Sequence, residues 1–165
     1  MALFWIPNQI LIDNETKLIK TNKILDTINY LQNTLLTDTF SDLIFEEALS
    51  RFLELTESEY GFIGEIIDSN SNAPFLKTKA ITNISWNDET KKFYEDNAPQ
   101  GLEFRNLQTL FGEVIKTHKP MIANRPNSHP KRGGLPEGHP ALNAFLGLPL
   151  IINNLMVGMI GVSNR

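Results

Sequence analysis

Residues 43–56, LIFEEALSRFLELT, place Phe45, Ala48, Leu49, Phe52 and Leu53 at i, i+3, i+4, i+7 and i+8, which is one face of a helix. Ser41 or Asp42 precedes it as a cap. The period then changes. In YGFIGEIID, Tyr60, Phe62, Gly64 and Ile66 alternate with Gly61, Ile63, Glu65 and Ile67, which predicts a strand. DSNSNAP is a turn, and FLKTKAIT alternates Phe75, Lys77, Lys79 and Ile81 against Leu76, Thr78, Ala80 and Thr82, a second strand completing a hairpin. Upstream, residues 16–36 carry an apolar stripe at Ile24, Ile28, Leu31 and Leu35 and predict another helix. That helix either packs on its own domain or pairs with a second copy of itself.

Downstream, Asn87 caps a short helix whose first turn holds Asp88 and Glu89, where the helix dipole favours acids. Asn106 is placed to cap the next, with Leu107, Leu110, Phe111, Val114 and Ile115 on one face and Pro120 as its stop. MIAN is a brief strand. After a loop, AFLGLPLIINNLMVGMIGVSN is a hairpin turned by Asn153 and Asn154. The order is helix, helix, strand, strand, helix, helix, strand, loop, strand, strand. Strand pairs joined by short turns around a helical insertion predict an α+β fold, an antiparallel sheet covered by helices.

The chain has 165 residues, enough for one domain and an appended element. It has no cysteine, which removes disulfides, thiolate metal sites and thiol chemistry and fits a reducing, cytoplasmic compartment. A net charge of -4 counts against nonspecific nucleic-acid binding. No segment reaches the roughly 20 apolar residues of a membrane span. The opening MALFWIPNQILI lacks the basic region and cleavage site of a signal peptide.

The segment with the most candidate chemistry is the 124–140 loop. Gly133-x-x-x-x-Gly138 begins like a phosphate loop, but His139 and Pro140 stand where Lys and Ser or Thr are needed. His129, His139 and Glu137 offer mixed nitrogen and oxygen donors for zinc or iron, yet their spacing matches no ligand pattern, and the two His-Pro pairs read as rigid turns. Ser128 and Ser163 lie in no nucleophile elbow. What remains is binding. Arg125, Lys131 and Arg132 supply donors, Gly133 and Gly134 let backbone amides approach a ligand closely, and four prolines stiffen the loop. His129 and His139 donate or accept according to protonation. Trp86, Phe104 and Phe145 are candidate apolar walls, with plain core packing as the alternative for each. The alternative for the loop is that its cations are solvated and it merely crosses the sheet.

The run RGGLPEGHPALNAFLGLPL, followed by VGMIGVSNR, resembles bacterial GAF domains of the kind found in sensor histidine kinases and diguanylate cyclases. SRFLELTESEYGFIGEI is similar to that family's first core helix and strand, and LFGEVIKTHKPMIAN to its helix and strand before the binding loop. The resemblance covers residues 40–165 and leaves 1–39 as a connecting or dimerisation helix. It implies an antiparallel sheet of five or six strands between helices, with a ligand pocket roofed by the 124–140 loop. It also implies a regulatory module of a cytoplasmic two-component or cyclase protein, not an enzyme itself, acting as a homodimer on an output domain of the same chain. The family's closing helix would follow Arg165. Without cysteine, neither bilin attachment nor free-methionine sulfoxide reduction is open to it, so the expected ligand is an unidentified, noncovalent small molecule. The rival expectation is a ligand-free dimerisation or scaffolding module that signals through its helices.

Overall fold

The computed structural model describes residues 5–36, 43–67, 74–83, 87–135 and 139–165. Alternating and helical periods along the chain become α1 (Trp5–Leu36), α2 (Leu43–Thr56), β1 (Tyr60–Ile67), β2 (Phe75–Ile81), α3 (Asp88–Asn97), β3 (Glu103–Phe104), α4 (Leu110–Thr117), β4 (Met121–Ala123), β5 (Phe145–Ile152) and β6 (Leu155–Ser163). The described chain divides into two units between Ile44 and Phe45. In the first, α1 is longer than its apolar stripe predicts. Pro7 falls in its first turn, where a missing N–H costs no helical hydrogen bond. Along it Leu11, Leu18 and Leu25, at heptad spacing, are exposed.

The second unit is built on one six-stranded sheet in the order β3-β2-β1-β6-β5-β4, antiparallel throughout. The sheet buries both faces. On one, Ile63, Ala80, Ile160 and Val162 pack with Leu49 of α2. On the other, Leu76, Phe145, Met156 and Met159 pack with Val114 and Ile115 of α4. Leu76, Met159 and Val114 are fully buried. The α2 stripe is therefore an inward face, and its capping candidates Ser41 and Asp42 lie outside the described residues.

Three local features differ from the sequence reading. The alternation of β2 is broken by a bulge: Ile63 pairs with Ala80 but Gly64 with Thr78. One extra residue flips the face of everything beyond it, so Leu76 and Ile81 fall on the same side of the sheet, that of Ile66 and Phe62. Strand β3 has only two residues, too few to carry a period, and is held by pairing to Leu76 and Lys77. The cap of α4 is Thr109, not Asn106: the Thr109 hydroxyl accepts from the Gly112 N–H at 3.2 Å, while Asn106 Oδ1 accepts from Gln108 N–H in the turn before. A helix start takes whichever short polar side chain reaches the second or third N–H. Asn87 does cap α3, its Oδ1 accepting from Thr90 N–H at 2.8 Å. Asn153 and Asn154 both adopt positive φ, 50° and 65°, as a two-residue hairpin turn between paired Ile152 and Leu155 requires.

Among the described residues no helix is long and apolar enough to cross a membrane.

Candidate functional site

Aromatic side chains near the ends of β1, β3, α4 and β5 enclose a cavity of about 500 Å³ on the α4 side of the sheet. Its floor comes from β1 (Tyr60, Phe62), β5 (Phe145) and β6 (Gly161, Ser163). These are cross-strand neighbours: Phe62 pairs with Gly161, and Phe145 with Ser163. Gly161 is glycine for space. A Cβ there would lie 2.5 Å from Phe62 Cε1 and 3.3 Å from Phe145 Cε2, so its absence lets both rings lean over the strand. The 102–106 segment, the start of α4, and Gly133, Gly134, Leu135, His139 and Leu142 complete the lining.

The loop is anchored by specific contacts. Gly134 has φ +80°, and a Cβ there would collide with Thr109 Cγ2, so only glycine brings the loop backbone against the α4 cap. Lys131 Nζ lies 3.9 Å from Glu113 Oε2 on α4, a partly exposed pair of small energetic weight. At the far end, Asn164 holds the chain on its way into β5. It is 7% exposed. Its Oδ1 accepts from Asn143 N–H at 2.8 Å, and its Nδ2 donates to the Ala141 carbonyl at 3.2 Å and to Glu59 Oε2 at 3.3 Å.

The walls are mainly apolar. Phe104 meets Phe62 edge-on, centroids 5.2 Å apart, and Phe111 at a tilt, 5.4 Å apart, both within the favourable range for aromatic pairs. The charged groups of the lining cancel. Arg105 binds Glu103 Oε2 through Nε at 2.9 Å and through a terminal nitrogen at 2.7 Å, and its guanidinium carbon lies 3.9 Å from the centroid of the Phe75 ring. Tyr60 and His139 stand edge-to-face at 6.2 Å. His139 Nδ1 is 2.6 Å from the Pro140 carbonyl, which can only accept, so Nδ1 carries the proton.

Of the residues the sequence singles out, Phe104, Gly133, Gly134, His139 and Phe145 meet at this cavity. Arg125, His129 and Arg132 do not line it. Arg125 is exposed and its carbonyl accepts from Ser128 N–H in a short turn. His129 Nδ1 accepts from Lys131 N–H at 3.1 Å, holding the loop's own turn. Arg132 is exposed. Trp86 and Glu137 lie outside the described residues. Among the described residues no cluster of three His, Asp or Glu side chains is placed to hold a metal. Sequence reasoning did not single out Tyr60, Phe62, Arg105, Phe111 or Leu142. Phe62 and Phe111 carry only the ordinary signal of core positions, and Arg105 follows a strand too short to read.

A family model described as the GAF domain matches residues 39–165. Curated proteins gave no match. Among solved structures, the A. aeolicus nlh2 GAF domain in an inactive state is 14% identical with a TM-score of 0.64, over 88% of this chain and 82% of that one. The GAF domain of a Coxiella burnetii phosphoenolpyruvate-protein phosphotransferase (ptsP) is 16% identical with a TM-score of 0.65, over 88% and 79%. A Staphylococcus aureus NreA protein mutated in its nitrate binding site is 23% identical with a TM-score of 0.51, over 75% and 85%. These likenesses establish a shared fold.

Proposed function

The chain belongs to the GAF domain family, whose members are typically signalling and ligand-binding modules, and on that premise we propose that it is a sensory module holding a small molecule in the cavity beside the 124–140 loop. The observation that carries this is the cavity itself. At about 500 Å³ it falls within the range of small-molecule sites, mostly apolar with a few polar groups at its edge. The module is regulatory and turns nothing over itself. Its output is a histidine kinase or diguanylate cyclase domain of the same polypeptide, a reading supported by the likeness of the RGGLPEGHPALNAFLGLPL loop and hairpin to GAF domains of those proteins. Pairing of two copies through α1 is supported by the exposed Leu11, Leu18 and Leu25.

Native mass spectrometry tests the sensory reading. Protein incubated with a metabolite extract is expected to carry a mass excess that disappears on denaturation. Ser163→Phe, which places a ring in the cavity, is expected to abolish it while keeping the native circular dichroism. An excess that survives in Ser163→Phe, or no excess in the wild type, overturns the reading.

A further inference from the structure

The lining also indicates the class of molecule it takes. We propose that the cavity selects a neutral, planar aromatic ligand and discriminates against anions, an inference that rests on the sensory reading above. Three observations carry it.

The first is the continuity of the ring surface. Phe104 touches both Phe62 and Phe111, and Phe62 and Phe145 flank the bare backbone of Gly161. Four phenyl groups thus form one connected wall, offering both faces and edges to an inserted ring.

The second is charge. Among the described residues Arg105 is the one lysine or arginine of the lining. Its guanidinium is solvent-exposed, paired with Glu103 and laid over the ring of Phe75, which by its register with Ile67 stands on the sheet face away from Phe62 and Leu76. An anion entering here would find, among the described lining residues, no lysine or arginine but this exposed guanidinium, and beside it a carboxylate of its own sign. The cations of the loop, Arg125 and Arg132, stand outside the lining.

The third is the state of two of the other polar side chains, Thr82 and Asn106. Thr82 Oγ1 accepts from Gly61 N–H at 3.2 Å and lies 3.3 Å from the Gly61 carbonyl. Asn106 Oδ1 is occupied by Gln108 N–H. A site that recognised a strongly polar ligand would aim such groups into the cavity, whereas these serve the protein backbone.

The test is a titration of the intact chain followed by two-dimensional amide NMR, with occupancy read at Gly133, Gly134, Gly161 and Ser163. The probes are quinoline, a neutral bicyclic ring; naphthalene-2-carboxylate, of matched ring size with a negative charge; and nitrate. Quinoline is expected to shift these four amides and to bind about tenfold tighter than either anion. Phe104→Leu, which keeps an apolar wall without a ring, is expected to weaken quinoline about tenfold. If Phe104→Leu does not fold, Phe111→Leu serves in its place. Should either anion move the same amides at lower concentration than quinoline, the ligand class is wrong and the sensory cavity stands. Quinoline binding indifferent to both leucine variants also overturns the class. If no probe moves these amides, the ligand class falls, and the sensory reading stands or falls on the mass excess from the metabolite extract.

Discussion

At Asn164 a single buried amide ties the end of β6 to two other stretches of chain: the turn before β1 through Glu59, and the approach to β5 through Ala141 and Asn143. Replacing it with alanine leaves those groups without their partner, so Asn164→Ala is expected to cost about 2 kcal/mol in urea denaturation. Its positive φ of 61° is one that asparagine tolerates better than alanine, which acts in the same direction. Phe145 is 7% exposed and serves both core and cavity floor; Phe145→Ala is expected to cost about 3–5 kcal/mol in the same measurement. Arg132 is the contrasting case. Exposed and outside the cavity, it is expected to change stability by less than about 0.5 kcal/mol on conversion to alanine and to leave quinoline affinity unchanged. Unfolding of Arg132→Ala would make the loop's cation structural.

At the scale of elements, legibility followed length and periodicity. Helix α2, strand β1 and the β5–β6 hairpin repeat their pattern often enough to be read, and the paired asparagines mark the turn between the last two. Strand β3 was invisible because pairing partners distant in sequence, not its own two residues, make it a strand. The bulge at Lys79 was equally hidden, since local alternation says nothing of a register imposed by the neighbouring strand. This explains why the loop glycines and His139 were found for the cavity and Arg105 was not. The first three lie in a segment with marked composition, the last beside an element that leaves no local trace. For α1 the expected consequence of its exposed apolar positions is association. Ile28 is 46% exposed, and Ile28→Asp is expected to convert a dimer to a monomer in light scattering with no change in the melting curve. A monomeric wild type at high concentration would contradict this.

For the molecule as a whole, the division between Ile44 and Phe45 implies that the sheet unit has its own core. A fragment of residues 41–165 is expected to melt within about 3 °C of the full chain and to bind quinoline with the same affinity; a large loss would mean that α1 supports the sheet. The position of β6 has a further consequence, for how this sheet comes into being. β1 with β2, and β5 with β6, are neighbours along the chain and close quickly, but β6 must then find β1, a junction that also brings Asn164 to Glu59 across 105 positions. Distant pairings of this kind slow folding. Until they form, each hairpin presents an open edge, and residues 141–164 contain no charged side chain to keep such an edge from pairing with another molecule. Refolding yield should therefore fall as protein concentration rises, with the chain competing against its own copies for the strand that ends up at the centre of the sheet.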